Sequence, residues 1–116
     1  MNKIVHRNPA FWGRTSTIII ADGYGFVMVS QLNDNKPVAV IHDLIVHKDR
    51  RGEGLGRELL EDAEEEAREM GALAIRLSCD KGSWLEEWYK RHGFENTTLD
   101  APCPSHVVLE KSLTEE

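Results

Sequence analysis

The feature that most constrains this chain is a double change of hydrophobic period between residues 38 and 79. Val38 to Val46 is a long β-type apolar run, interrupted only by His42 and Asp43. From Gly54 to Met70 the apolar residues Leu55, Leu59, Leu60, Ala63, Ala67 and Met70 recur at helical spacing on one face, and Gly71 follows as a stop. The opposite face carries Glu61, Asp62, Glu64, Glu65, Glu66 and Glu69, which reads as a solvated helix surface. Leu73 to Cys79 then alternates again through Leu73, Ile75 and Leu77. Strand, helix, strand is a crossover unit, and it makes the two strands parallel if they are neighbours.

The flanks read as antiparallel strands. Residues 2–6 predict a short strand, followed by a turn-like stretch at Asn8-Pro9. Thr17–Ala21 is β-branched and bounded by the hairpin signal Asp22-Gly23. Phe26–Leu32 alternates, and Asn33-Asp34-Asn35-Lys36-Pro37 marks the next turn. After the crossover, Trp84, Leu85, Trp88 and Tyr89 sit at helical spacing before Gly93. Phe94–Leu99 and His106–Glu110 predict two closing strands around the loop Ala101–Pro104. The class is therefore α+β, or mixed α/β, with helices packed on a sheet.

Composition excludes several functions. A chain of 116 residues, 41% hydrophobic and 29% charged, is one globular domain spanning residues 1–116. Its formal charge of -6 is a poor start for a nucleic-acid binder, whose affinity comes largely from Lys and Arg on phosphates. The longest apolar runs, Ile18–Ala21 and Val38–Ile41, are far below a membrane span, and the N-terminus shows no signal-peptide pattern. Cys79 and Cys103 fit two free thiols in a reducing, cytoplasmic setting. No CxxC or HxxxH pair supplies metal ligands, and the histidines are scattered, with His42 and His47 the closest. The expectation is no metal, no membrane and no nucleic acid.

The chemistry concentrates in Arg51-Gly52-Glu53-Gly54-Leu55-Gly56-Arg57, between a strand and a helix N-terminus. Three glycines let successive N–H groups point at one place, and the helix adds its unsatisfied N–H groups and dipole. Lys48, Arg50, Arg51 and Arg57 concentrate positive charge there. This is a diphosphate cradle. It lacks the Lys-Ser or Lys-Thr of a Walker loop and the third glycine of a dinucleotide fingerprint; its spacing is R-x-x-G-x-G. His42 and Asp43, costly to bury in an apolar strand, predict that at least one faces an open cleft. His42 shares alternation parity with Val40, Leu44 and Val46.

Three segments resemble the GNAT superfamily of acyl-CoA-dependent N-acetyltransferases. They are Leu44-Ile45-Val46 followed by the Arg51–Gly56 loop, Ala67–Gly71 leading into Ile75-Arg76-Leu77, and Trp88-Tyr89-Lys90-Arg91-His92-Gly93-Phe94. The closing strand Val107–Leu113 is similar as well. The resemblance implies a mixed, mostly antiparallel sheet with a central splayed parallel pair. It implies acetyl-CoA as cosubstrate, no metal, and direct attack of a primary amine on the thioester. Main-chain groups of Arg51 through Arg57 would hold the pyrophosphate, and those of Leu44, Ile45 and Val46 the pantetheine arm and thioester carbonyl. Tyr89 matches the general acid; His42 matches a position that lines the acceptor pocket and suits a base or water relay. Asp43 matches an acid that serves cationic acceptors.

Two departures leave the acceptor open. An Asn common in the family falls here on Gly82, with Asp80, Lys81 or Ser83 as replacements. Only Arg7–Ser16 is available where the family inserts two helices that roof the acceptor site. A small cationic amine fits if the Phe11-Trp12 segment or the partner subunit of a homodimer covers that face. A protein lysine or N-terminus is the alternative acceptor, and a non-catalytic CoA-binding module is the third reading.

Overall fold

In the computed structural model, residues 3–11, 14–21, 24–31, 37–101 and 103–114 are described. The expected turns at Asp22-Gly23 and Asn33 through Lys36, and the covering role of the Phe11-Trp12 side chains, lie outside what is described. The elements are β1 (Lys3–Phe11), β2 (Arg14–Ala21), β3 (Gly25–Gln31), β4 (Val38–Val46), a 3-10 turn (Lys48–Arg50), α1 (Leu55–Glu69), β5 (Ala74–Asp80), α2 (Trp84–Arg91), β6 (Glu95–Asn96) and β7 (His106–Ser112). They form one seven-stranded sheet in the order β1-β2-β3-β4-β5-β7-β6. Every neighbouring pair is antiparallel except β4 and β5, the two strands of the crossover. The α+β class and the parallel centre follow the sequence reading.

Two helices share one face. Ile19, Val27, Val29, Ala39, Ile41, Ile75, Leu77 and Cys79 from the strands form one core with Leu59, Leu60, Ala63 and Ala67 of α1 and with Tyr89 and Phe94. On the other face, Ile4, Ile20, Phe26 and Ile45 stand in a cross-strand row, with Ile4 and Ile45 about half exposed. No helix among the described residues covers that row. Of the stretch Arg7–Ser16, too short for two roofing helices, residues 7–11 belong to β1 and residues 14–16 to β2, with Phe11 opposite Arg14.

Four expectations change. Asn8-Pro9 is not a turn: β1 runs on to Phe11 with an irregular register between Asn8 and Phe11, which an edge strand allows for a proline that cannot donate to a ladder. The closing strand predicted over Phe94–Leu99 shrinks to Glu95–Asn96. Thr97 diverts the chain there, because its N–H and hydroxyl both donate to the Val108 carbonyl, and its Oγ1 accepts from the Leu99 N–H.

The acidic side of α1 is not wholly solvated. Glu64 and Glu66 are buried, while Glu61, Glu65 and Glu69 are exposed. Lys111 reaches Glu64 at 2.9 Å, and Arg7 donates twice to Glu66, at 2.7 and 3.1 Å. Buried Thr17 also donates to Glu66. These carboxylates tie α1 to β1 and β2 on one side and to β7 on the other. The fourth change, in the parity of β4, belongs to the site.

Candidate active site

The site is built where the parallel ladder stops. β4 and β5 pair only through Val38↔Ala74, Ala39↔Ile75 and Val40↔Arg76. Beyond that point β4 follows β3 as far as Val46↔Gly25, and β5 follows β7 as far as Asp80↔His106. The two strands therefore diverge. Residues 41–46 present to the gap a backbone edge with no pairing to β5, and such an edge accepts an extended ligand as an added strand. Leu44, Ile45 and Val46 lie on this edge. The Val46 carbonyl accepts from the Arg51 guanidinium at 3.2 Å.

The glycine-rich loop closes one end of the gap. The His47 N–H donates to the Tyr24 carbonyl at 2.6 Å, which anchors the loop to the residue before β3. Gly52 and Gly54 adopt φ of 85° and 82°, left-handed values that cost an L side chain about 1–2 kcal/mol. Gly54 is the N-cap of α1 and supplies no side-chain cap, so the first-turn N–H groups of Leu55, Gly56 and Arg57 point outward uncapped. Nothing lies within 4 Å of where a Cβ on Gly52 or Gly54 would stand, so these backbones are open to a ligand. The charges are less free than the sequence suggests. Arg50 sits over the Tyr24 ring at 3.7 Å and pairs with Glu53 at 3.0 Å, and Arg57 pairs with Glu61 at 3.0 Å.

The second helix brings the aromatic motif to the same place. Ser83 caps α2 by accepting from the Glu86 N–H, and Glu86 accepts from the Gly82 N–H at 2.7 Å. The Trp88 ring lies against Gly56, 3.4 Å from where a Cβ would be, with the Val46 methyl 3.7 Å from the same point. A Cβ at position 56 would make ordinary van der Waals contact with both, so α1 packs against α2 and β4 at this glycine. Loop, β4 edge and α2 are thus held by one contact, which local sequence patterns do not reveal.

Tyr89 is 5% exposed, with its ring edge-on to Trp88 and Phe94. Burial, with smaller contributions from the negative charges of Cys79 and Asp43, pushes its phenol up to about 12. The hydroxyl therefore keeps its proton throughout the neutral range. The charge effect of Asp43 also places that carboxylate in electrostatic reach of Tyr89.

His42 and Asp43 both emerge as exposed, but not by simple alternation. Val29 opposes Ile41 and Val27 opposes Leu44, so one extra residue is accommodated on β4 between them. This β-bulge reverses the alternation: Ile41 and Leu44 both face the helices, although three residues apart. The expected parity of His42 with Leu44 and Val46 is therefore wrong; only its parity with Val40 holds. His42 Nε2 meets the hydroxyl of buried Ser30, and Asp43 opposes Met28, both on the helix-free face. Ser30 is a neighbour that sequence reasoning missed; its only signal was a polar residue in an alternating strand. Of the three replacements for the family Asn, Asp80 pairs with His106 and Ser83 caps α2, leaving Lys81 exposed.

A family model for the acetyltransferase (GNAT) domain matches residues 12–96. The chain belongs to the GNAT family. No curated protein matches the sequence. Among solved structures, this GNAT chain is similar to an acyl-CoA N-acyltransferase, so described for Klebsiella pneumoniae, at 21% identity and a TM-score of 0.71, covering 87% of this chain and 73% of that one. It is similar to nourseothricin acetyltransferase at 26% identity and a TM-score of 0.71, over 87% and 66% of the two chains. It is also similar to the PaiA N-acetyltransferase of Thermoplasma acidophilum, solved in complex with coenzyme A, at 22% identity and a TM-score of 0.69, over 85% and 60%. Acyl transfer from acetyl-CoA is the general reaction of this GNAT family, and the seven-stranded sheet with its parallel centre is its fold. Among the described residues no cluster suits a metal ion, and no helix is long and apolar enough to cross a membrane.

Proposed function

We propose that this GNAT domain transfers an acetyl group from acetyl-CoA to a primary amine, most readily a small cationic one. The observation that carries the reading is the stop of the β4–β5 ladder at Val40 and Arg76, beside an uncapped helix N-terminus at Gly54. The Arg51–Arg57 backbone and the α1 dipole hold the pyrophosphate. The free edge of Leu44–Val46 receives the pantetheine amides, and an N–H on that edge polarises the thioester carbonyl, an effect worth about 3–4 kcal/mol in comparable sites.

Acetyl-CoA supplies an activated acyl carbon and a thiolate leaving group. Tyr89 donates to the departing sulfur. With its phenol pKa near 12 and an ordinary thiol near 8.5, complete transfer from the resting phenol is uphill by roughly 5 kcal/mol. Tyr89 therefore serves first as a hydrogen-bond donor, and its proton passes on as the amine's proton replaces it. His42, with Ser30 fixing its ring, relays that proton, and Asp43 attracts a cationic acceptor to the helix-free face. The exposure of that face also suits a lysine side chain or N-terminus of a protein.

A panel of small amines, amino acids and lysine peptides, read by free-thiol release with acetyl-CoA, tests the proposal. Turnover with a cationic small amine that falls in Asp43→Asn supports it. Turnover with peptides alone assigns a protein acceptor, and acetyl-CoA binding without thiol release from any acceptor reduces the chain to a CoA-binding module.

A further inference from the structure

The loop between β6 and β7 assembles a second chemical group that the transfer site does not use. Cys103-Pro104-Ser105-His106 forms a tight turn, with the His106 N–H donating to the Cys103 carbonyl at 3.1 Å. Proline at the second position of such a turn has its φ already set. The turn brings the Cys103 sulfur onto His106 Nδ1, with Ser105 Oγ 3.1 Å from the same sulfur. A second tether, from the Lys81 N–H to the Ser105 carbonyl at 2.8 Å, fixes the turn to the end of β5. The register Asp80↔His106 then sets Asp80 Oδ1 3.2 Å from His106 Nε2. Nucleophile, base and orienting carboxylate stand in sequence, the arrangement by which a cysteine is activated.

The thiol also faces space. A cavity of about 410 Å³ is lined by Thr97, Leu99, Cys103, Pro104, His106 and Val108, among others. That is within the size range of small-molecule sites. The other cysteine differs: Cys79 is buried and burial pushes its thiol up. Asp80 ends β5, one of the two strands that diverge to form the acetyl-CoA gap. β5 does not line the cavity but adjoins it, because Asp80 pairs with His106, which does.

We infer that Cys103 is an acyl-accepting nucleophile, served by His106 and oriented through Asp80, that takes an acetyl group from acetyl-CoA. The inference rests on the acetyl-CoA reading above. In the step, His106 Nδ1 accepts the Cys103 proton and the sulfur bonds to the acetyl carbon. The bond from that carbon to the CoA sulfur breaks, and the proton goes from His106 to the departing thiolate. The products are S-acetyl-Cys103 and free CoA, with no oxidant or reductant needed. Cys103 is the catalytic group; Asp80 acts on it through His106.

The test is intact-mass and peptide-mapping spectrometry on the full chain incubated with acetyl-CoA and no amine. The expected result is one hydroxylamine-labile acetyl group on Cys103, unchanged in Cys79→Ser and absent in Cys103→Ser. His106→Gln slows both acetylation and iodoacetamide alkylation of Cys103 by about 10²-fold. Asp80→Asn slows acetylation without lowering its final extent, and Asp80→Glu restores the rate. Acetyl-CoA that raises the melting temperature yet leaves Cys103 unmodified overturns this inference and leaves the proposed function standing. Absence of any melting shift with acetyl-CoA overturns the proposed function instead. Alkylation of Cys103 at the same rate in wild type and His106→Gln also overturns the inference, whatever acetyl-CoA does.

Discussion

Tyr89 shows how one residue's surroundings limit its chemistry. Its motif position marked it as an acid, while its burial against Trp88 and Phe94 keeps it neutral, the state that the proposed hydrogen-bond donor needs. Tyr89→Phe keeps the packing and removes the donor, so kcat should fall by about 10²-fold with the fold intact; turnover within twofold of wild type rejects the role. Stability follows the same pKa. The folded phenol titrates near 12 against about 10 when unfolded. The neutral form's full contribution is therefore present below pH 10 and is lost as pH rises towards 12. Alkaline denaturation should show that loss in wild type and a flatter limb in Tyr89→Phe. Glu66 has the opposite sign. Hydrogen bonds from Arg7, then Thr17, hold its carboxyl below the ordinary 4.5. Its contribution is full above that value and lost as pH falls through the lowered folded value. Glu66→Ala leaves the Thr17 hydroxyl buried without its acceptor and should cost about 1–3 kcal/mol in denaturant unfolding.

Among the elements, the loop and α1 work as a unit. Periodicity showed which face of α1 is apolar, but treated the acidic side as uniform. Glu64 and Glu66 depart because Lys111 of β7 meets the first and Arg7 of β1 and Thr17 of β2 meet the second, a relation between residues dozens of positions apart. The N-terminus of α1 carries its own prediction. Gly54→Ala places a Cβ on a left-handed backbone, at about 1–2 kcal/mol, and distorts the uncapped N–H groups. Acetyl-CoA affinity should fall about tenfold by calorimetry, equivalent to about 1.4 kcal/mol. Gly71→Ala, with a φ of 87° at the other end of α1, should lose comparable stability with acetyl-CoA affinity unchanged. If both variants bind acetyl-CoA as wild type does, the cradle at Gly54 is not the pyrophosphate site.

At the scale of the whole molecule, the helix-free face is where the proposed function puts the acceptor. It combines an apolar row from Ile4 to Ile45 with His42 and Asp43 at the edge of the gap, and the antiparallel pair of β1 and β2 stands where the sequence leaves too few residues for two roofing helices. Much was legible in the residues alone: the crossover from the change of period, a glycine-rich loop opening α1 from R-x-x-G-x-G, and the family from three motifs in order. Those signals are local, since spacing along a strand or helix fixes which side chains share a face. Four things needed the tertiary structure. The bulge at His42 depends on the partner strand β3; the gap depends on where the β4–β5 ladder ends. The contact of Trp88 with Gly56 depends on how two helices meet, and the Cys103–His106–Asp80 cluster on the pairing of β5 with β7. Each is set by long-range packing, where residues distant in the chain share one energy minimum and no single segment encodes the contact.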